Sequence, residues 1–199
     1  MRFRLLILFL LLYPALHAQT QWVLKKNEDG IKVYTAHTPN SNIKSVKVAC
    51  TLHTTIAKLA TYLMNAKAHE QWVYGTKTSY TVKMLGEYEQ LYYSEIDMPR
   101  PLKNRDVVTR LQLSMPAANT LLVNAVAEEG HVAPRPELVR VPMSVVNWEV
   151  TATGNNELQV VYTAQADPGG AIPAWVVNLF CVKGPFETFS KLRTIVAGL

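Results

Sequence analysis

Apolar and polar side chains alternate along most of this chain, and the period changes in only two places. In GIKVYTA (30–36) Ile31, Val33 and Thr35 share one face. IKSVKVACTL (43–52) continues with Val46, Val48, Cys50 and Leu52 set against Lys47 and Thr51. A period of two predicts two half-buried strands. At residue 54 the spacing lengthens: Thr54 or Thr55 is placed to cap a helix whose Ile56, Leu59, Ala60, Leu63 and Met64 recur every three or four positions. A second short helix is expected over 68–72, carrying Trp72. From Thr76 the strand period returns in TKTSYTVKML, EQLYYSEID, RDVVTRLQLSM, TLLVNAVAE, LVRVPMSVVNWEVTAT and ELQVVYTAQA. Gly86, Pro116 with Asn119, Gly130 and the GNN at 154–156 punctuate them, so an antiparallel meander follows. The last element departs again. Ile172, Trp175, Val176, Leu179, Phe186, Phe189, Leu192 and Val196 recur at helical spacing and predict one long amphipathic helix. The expected architecture is α+β, a curved antiparallel sheet wrapped around a C-terminal helix that covers its apolar face.

Composition narrows the picture. At 199 residues, 49% hydrophobic and 18% charged, the chain has enough apolar surface for one globular core. Its first 18 residues form a separate unit: Arg2 and Arg4, the apolar run from Leu5 to Leu12 and the small Ala18 predict a cleaved signal peptide. The apolar run is short for a bilayer span. The domain boundaries are therefore 1–18 for the leader and 19–199 for a single domain. Removing the leader takes two arginines and no acids, so the formal charge of +5 becomes +3. The remaining Lys and Arg are scattered, with no basic and aromatic stripe, and no nucleic-acid partner is expected. An exported protein, periplasmic or secreted, is the expectation. Cys50 and Cys181 sit in apolar sequence and are expected to be small core residues more readily than a disulfide pair.

Chemistry-bearing motifs are sparse. His37, His53, His69 and His131 are isolated, HEQWV lacks a second histidine at metal-binding spacing, and surface or capping roles are expected for them. No nucleophile elbow surrounds any serine. No metal or cofactor is expected. Two other segments are more specific. DPGGAIPAWVVN (167–178) places Pro168, Gly169 and Gly170 for a sharp turn and Pro173 at a helix start, where a missing N–H has no partner to lose. Pro185, after Gly184, removes a later hydrogen bond and presses on the carbonyl of Cys181, so a kink is expected over 181–184. MPRPLKNRDVVTR (98–110) is a proline-rich turn leading into a strand.

These two segments resemble the START (steroidogenic-acute-regulatory-related lipid transfer) domains of the helix-grip, Bet v 1-like fold. DPGGAIPAWVVN is similar to the family's opening of its C-terminal helix, and MPRPLKNRD to its P-x-P-x-x-x-R-D turn. Trp22 with 30–34, Trp72 and Trp148 add weaker likenesses. The resemblance implies noncatalytic binding, and possible transfer, of a lipid or sterol-like molecule in a tunnel under the helix. It implies a monomer touching membranes transiently. Where many members carry Trp or Phe between the two prolines, this chain has Arg100; the tip reads as a solvated turn or, with Lys103, as one that meets anionic headgroups. In several members the arginine matching Arg110 lies in the tunnel, and Glu95 is the candidate partner, with Asp97 second. Tyr93, Trp175 and Leu179 complete the expected ligand-binding set, while Trp72, Trp148 and Trp175 are expected in the core. Arg105 and Asp106 are expected to pin the turn. An enzyme resembling the polyketide cyclases and aromatases is the alternative, and would need acid or base groups converging inside.

Overall fold

The computed structural model describes residues 20–37, 44–154 and 156–198; the predicted leader lies outside them. Strands β1 (Val23–Glu28), β2 (Ile31–His37) and β3 (Lys44–His53) come first. Helix α1 (Ile56–Met64), a 3₁₀ turn and α2 (His69–Trp72) follow. Then come β4 (Thr76–Gly86), β5 (Glu89–Ile96), β6 (Arg105–Ala117), β7 (Thr120–Ala127), β8 (Val139–Arg140), β9 (Met143–Gly154) and β10 (Glu157–Asp167). The chain closes with α3 (Ala174–Asn178), a π-helical stretch (Leu179–Lys183) and α4 (Gly184–Ala197).

All ten strands belong to one sheet of order β1-β2-β3-β10-β9-β7-β6-β5-β4, with β8 beside β6. The expected α+β architecture is present, and the caps explain where α1 begins: Thr55 accepts the Lys58 N–H at 3.3 Å. Three details differ from the sequence pattern. Edge strand β1 reads VLKKNE, whose polar run shows no alternation because neither of its faces is well covered. The single strand expected over 138–153 breaks at Val141 and Pro142, since proline brings no N–H to a ladder. Its severed piece β8 runs parallel to β6, so the sheet is not a pure antiparallel meander.

The inner face of the sheet carries Val33, Val48, Leu52, Val123, Val150 and Val160, all buried. Phe186, Phe189, Leu192 and Val196 of α4 pack onto it as one cluster. The C-terminal element is a helical run interrupted where the proline demanded. At the π stretch the Gly184 N–H reaches back five residues to the Leu179 carbonyl, and Pro185 falls in the first turn of α4. A wider turn there makes room for the proline ring without breaking the rod. Ile172 lies ahead of the helix, with Pro173 as its N-cap.

The opposite face of the sheet is covered over part of β5 and β6 by the connection between β7 and β9. It is fastened by backbone bonds to β6, Val141 N–H to the Asp106 carbonyl at 2.9 Å among them. Arg140 donates two hydrogen bonds to the Asp106 carboxylate, at 2.9 and 3.0 Å. The Asp106 side chain is 1% exposed, so this pair is desolvated. Replacing Arg140 by Ala leaves a buried carboxylate without its cation, which costs about 3–5 kcal/mol. Urea unfolding of Arg140→Ala measures this; adding Asp106→Asn is expected to recover part of the loss.

Candidate ligand-binding cavity

Strand alternation decides what the inner face shows. Tyr92, Leu111, Val123, Val146, Trp148 and Tyr162 all project from it, and α4 crosses above without filling the space between. A cavity of about 200 Å³ remains. From α1, α2 and the turn after them come Leu63, His69, Trp72 and Tyr74; from the helical roof come Phe180, Gly184, Pro185, Thr188 and Phe189. None of the described residues that line it is Asp, Glu, Lys or Arg. Its walls are interlocked aromatic rings. Trp148 stands 5.0 Å from Phe189, 5.4 Å from Tyr162 and 6.2 Å from Trp72, centroid to centroid. Edge-to-face contacts of this kind hold rigid plates at fixed angles, which is why they leave a void where flexible side chains would collapse.

His69 corrects the surface half of the sequence expectation and meets the capping half, since it closes the 3₁₀ turn as its C-cap. It is buried, edge-on to Trp72 at 5.4 Å and to Tyr92 at 4.9 Å. Its Nε2 lies 2.9 Å from the Leu63 carbonyl, one of the acceptors left over at the end of α1. Burial drives its pKa down, and the carbonyl contact offsets this only in part. The ring is thus neutral with its proton on Nε2. Burial likewise raises Tyr92 and Tyr162, so these two phenols are held in their uncharged form.

A second recess of about 670 Å³ opens beside the first. The 97–104 turn forms one wall, with Asp97, Met98, Arg100 and Asn104, and Leu179 and Phe180 of the π stretch form the other. Tyr74 and Phe180 line both spaces, their rings edge-on at 5.8 Å, and so stand between them. Tyr74 is docked against the roof from two sides. Its N–H donates to the Thr188 hydroxyl at 3.0 Å, and its ring lies where a side chain on Gly184 would come within 3.1 Å. Glycine at 184 is what lets the ring and the helix approach.

The expected site residues divide between two faces. Leu179 lines the outer recess. Arg110, Glu95 and Tyr93 stand on the other side of the sheet, since their parity is opposite to that of Leu111 and Tyr92. The expected Arg110–Glu95 partnership is corrected too. Arg110 pairs with Glu89 at 2.8 Å and with both carboxylate oxygens of Glu128, at 2.5 and 3.0 Å. Glu95 instead binds Arg135, Lys77 at 2.9 Å and the Asn104 amide at 3.2 Å. Arg135 also donates to the Tyr93 hydroxyl at 2.8 Å. Trp72 and Trp148 are buried as expected, but Trp175 is 53% exposed and lines neither space. Cys50 is buried, Cys181 half-buried, and both are free thiols. Arg105 does pin the turn: its guanidinium donates to the carbonyls of Lys103, Pro168 and Gly169, joining the 98–110 segment to the DPGG turn.

A curved sheet holding one long helix over a hollow aromatic interior defines a helix-grip protein with an internal binding site. The START domain matches residues 10–197, and the chain belongs to that family. It is 30% identical to an uncharacterized protein of Pseudomonas aeruginosa, over 87% of this chain and 85% of that one. Phosphatidylcholine transfer protein from Rattus norvegicus is 26% identical, over 89% and 84%. Among solved structures, the STAR-related lipid transfer protein from Xanthomonas axonopodis superposes with a TM-score of 0.79 at 28% identity, covering 88% of this chain and 98% of that one. An aromatase/cyclase from Streptomyces shares the fold alone, at 12% identity and a TM-score of 0.55, over 79% and 93%.

Two outcomes follow. Ala125 is a buried cavity residue, and Ala125→Phe places a ring in the void; overpacking typically costs about 1–3 kcal/mol, so the protein folds but loses its capacity for an apolar fluorescent probe. Titration of the probe by fluorescence, with thermal melts as the control, checks this. Burial raises the pKa of Glu95, but the hydrogen bonds from Lys77, Arg135 and Asn104 outweigh it and bring the carboxyl to about 2. A depressed folded pKa contributes stability above the unfolded value of about 4.3, and that contribution is lost as pH falls through about 2. Glu95→Gln is expected to flatten the stability profile in this window, measured by urea midpoints at successive pH values.

Proposed function

We propose that this protein binds one hydrophobic small molecule, a lipid or sterol-like compound, and carries it without chemical change. The observation behind this is the uncharged, ring-walled cavity beneath a helix whose hydrogen-bond pattern is interrupted directly above it. Each buried methylene is worth about 0.8 kcal/mol relative to water. A bilayer offers a similar gain, so exchange between membrane and cavity is nearly balanced while escape into water is strongly opposed. The resemblance to a phosphatidylcholine transfer protein and to a STAR-related lipid transfer protein supports carriage.

The cavity is smaller than the roughly 300–1,000 Å³ that drug-sized ligands fill, so loading moves the roof. The π stretch and Pro185 are where the roof bends. Trp175, exposed one turn before Leu179, and Arg100 on the neighbouring turn are the side chains that touch a membrane during exchange. The protein acts as a monomer, exported after cleavage of residues 1–18. Catalysis of the cyclase kind is less well supported: the polar groups on the wall are His69, Tyr74, Tyr92, Tyr162 and Thr188, and burial keeps His69, Tyr92 and Tyr162 neutral rather than poised to move protons.

Native mass spectrometry of the protein purified from the exported fraction tests this. A mass beginning at Gln19 with an intact copurified lipid is the expected result. A ligand-free protein that takes up no lipid from vesicles, or a cyclised product in place of an intact lipid, would sink the proposal.

A further inference from the structure

We infer that the guest is a single-chain amphiphile with an anionic head, held tail inward, its head in the outer recess beside Arg100. This rests on the binding reading above and adds a ligand class and an orientation. Among the described residues the inner cavity has no Lys or Arg to meet a phosphate or carboxylate, and its buried His69 is held neutral. An anion placed there loses its hydration with no partner, which is prohibitive in a low-dielectric interior. Size adds a second limit. With the roof where it stands, a space of about 200 Å³ admits one chain or ring more readily than two chains side by side. A longer chain must run outward past Tyr74 and Phe180, the two rings shared by both spaces.

The outer recess has the opposite character. It carries Lys77, Arg100, Asp97 and Asn104. Three of these are occupied: Lys77 by Glu95 at 2.9 Å, and Asn104 by Asp97 at 2.8 Å and by Glu95. Arg100 is exposed and has no ion pair or hydrogen bond among the described residues. It is therefore the cation left for a head group that emerges between the 97–104 turn and the π stretch. A guanidinium matches a carboxylate or phosphate oxygen pair in geometry as well as in charge.

The experiment uses five probes with a twelve-carbon chain: dodecanoate, dodecanol, dodecyltrimethylammonium, 2-bromododecanoate and 12-bromododecanoate. The chain has four tryptophans, so Trp22→Phe with Trp175→Phe leaves only Trp72 and Trp148, both on the cavity wall. In that background 12-bromododecanoate is expected to quench emission severalfold more than 2-bromododecanoate. In Arg100→Glu the ratio of the dodecanoate Kd to the dodecanol Kd is expected to rise at least about fivefold, as loss of an attraction becomes a repulsion. Stronger quenching by the 2-bromo acid reverses the orientation. An unchanged Kd ratio removes Arg100, and tighter binding of dodecyltrimethylammonium than of dodecanoate overturns the anionic class. If no probe binds at all, the binding function itself fails, and the orientation falls with it.

Discussion

The contact between Phe189 and the ring lattice of Trp148 and Tyr162 sets the distance between helix and sheet, and most of the structure depends on it. Phe189 is completely buried and touches both rings at about 5 Å. On the side toward β3, aliphatic side chains such as Val48, Cys50 and Leu52 close the gap beneath Leu192 and Val196. On the side toward β5 and β6 the helix is held at the same height but meets large flat rings, which cannot bend to fill the remainder. One end of the interior is therefore a packed core and the other a cavity. The hollow is a product of side-chain shape, with no change in the backbone plan.

Charge is sorted by the sheet itself. Alternation gives every strand an inside and an outside, and on β5 and β6 the acids and Arg110 fall on the outside. There the long connection from β7 to β9 brings in Arg135 and Arg140, which neutralise Glu95 and Asp106. The buried polarity that the sequence displays thus serves to glue a loop to the outer wall. It also keeps the inner wall free of charge, which is the property an apolar guest needs.

The two segments that carry the family likeness meet in space. Asp167 accepts the Gly169 N–H at 2.9 Å, and Gly169 and Gly170 both take left-handed φ, at 71° and 68°. A side chain at Gly169 would strike Val139 at 3.2 Å. Arg105, at the start of β6, then binds the carbonyls that this turn exposes. The result is a fixed launch point for the C-terminal helix, tied to the turn that walls the outer recess. Roof and rim are thereby positioned by one guanidinium.

Local periodicity was enough to reveal the strands from Ile31 onward, α1, the C-terminal helix and its interruption at Pro185, because each rests on side-chain spacing or on the missing N–H of a proline. Tyr162 was readable in the same way, sharing parity with the buried Leu158 and Val160. His69 was not: a lone histidine in HEQWV carries no local mark of burial, and only the packing of α2 against β5 places it on the cavity wall. Arg110, Glu95 and Tyr93 went to the wrong side because alternation tells which residues share a face but not which face the helix covers. Trp175 is similar, since helical spacing could not say that α3 turns it toward solvent. Sequence alone determined most of the elements, because spacing and prolines act locally; the edge strand β1, the parallel pairing of β8, the choice of inside and outside, the partners of each charge and the existence of the cavity were decided by tertiary contacts, which are set by residues far apart in the chain.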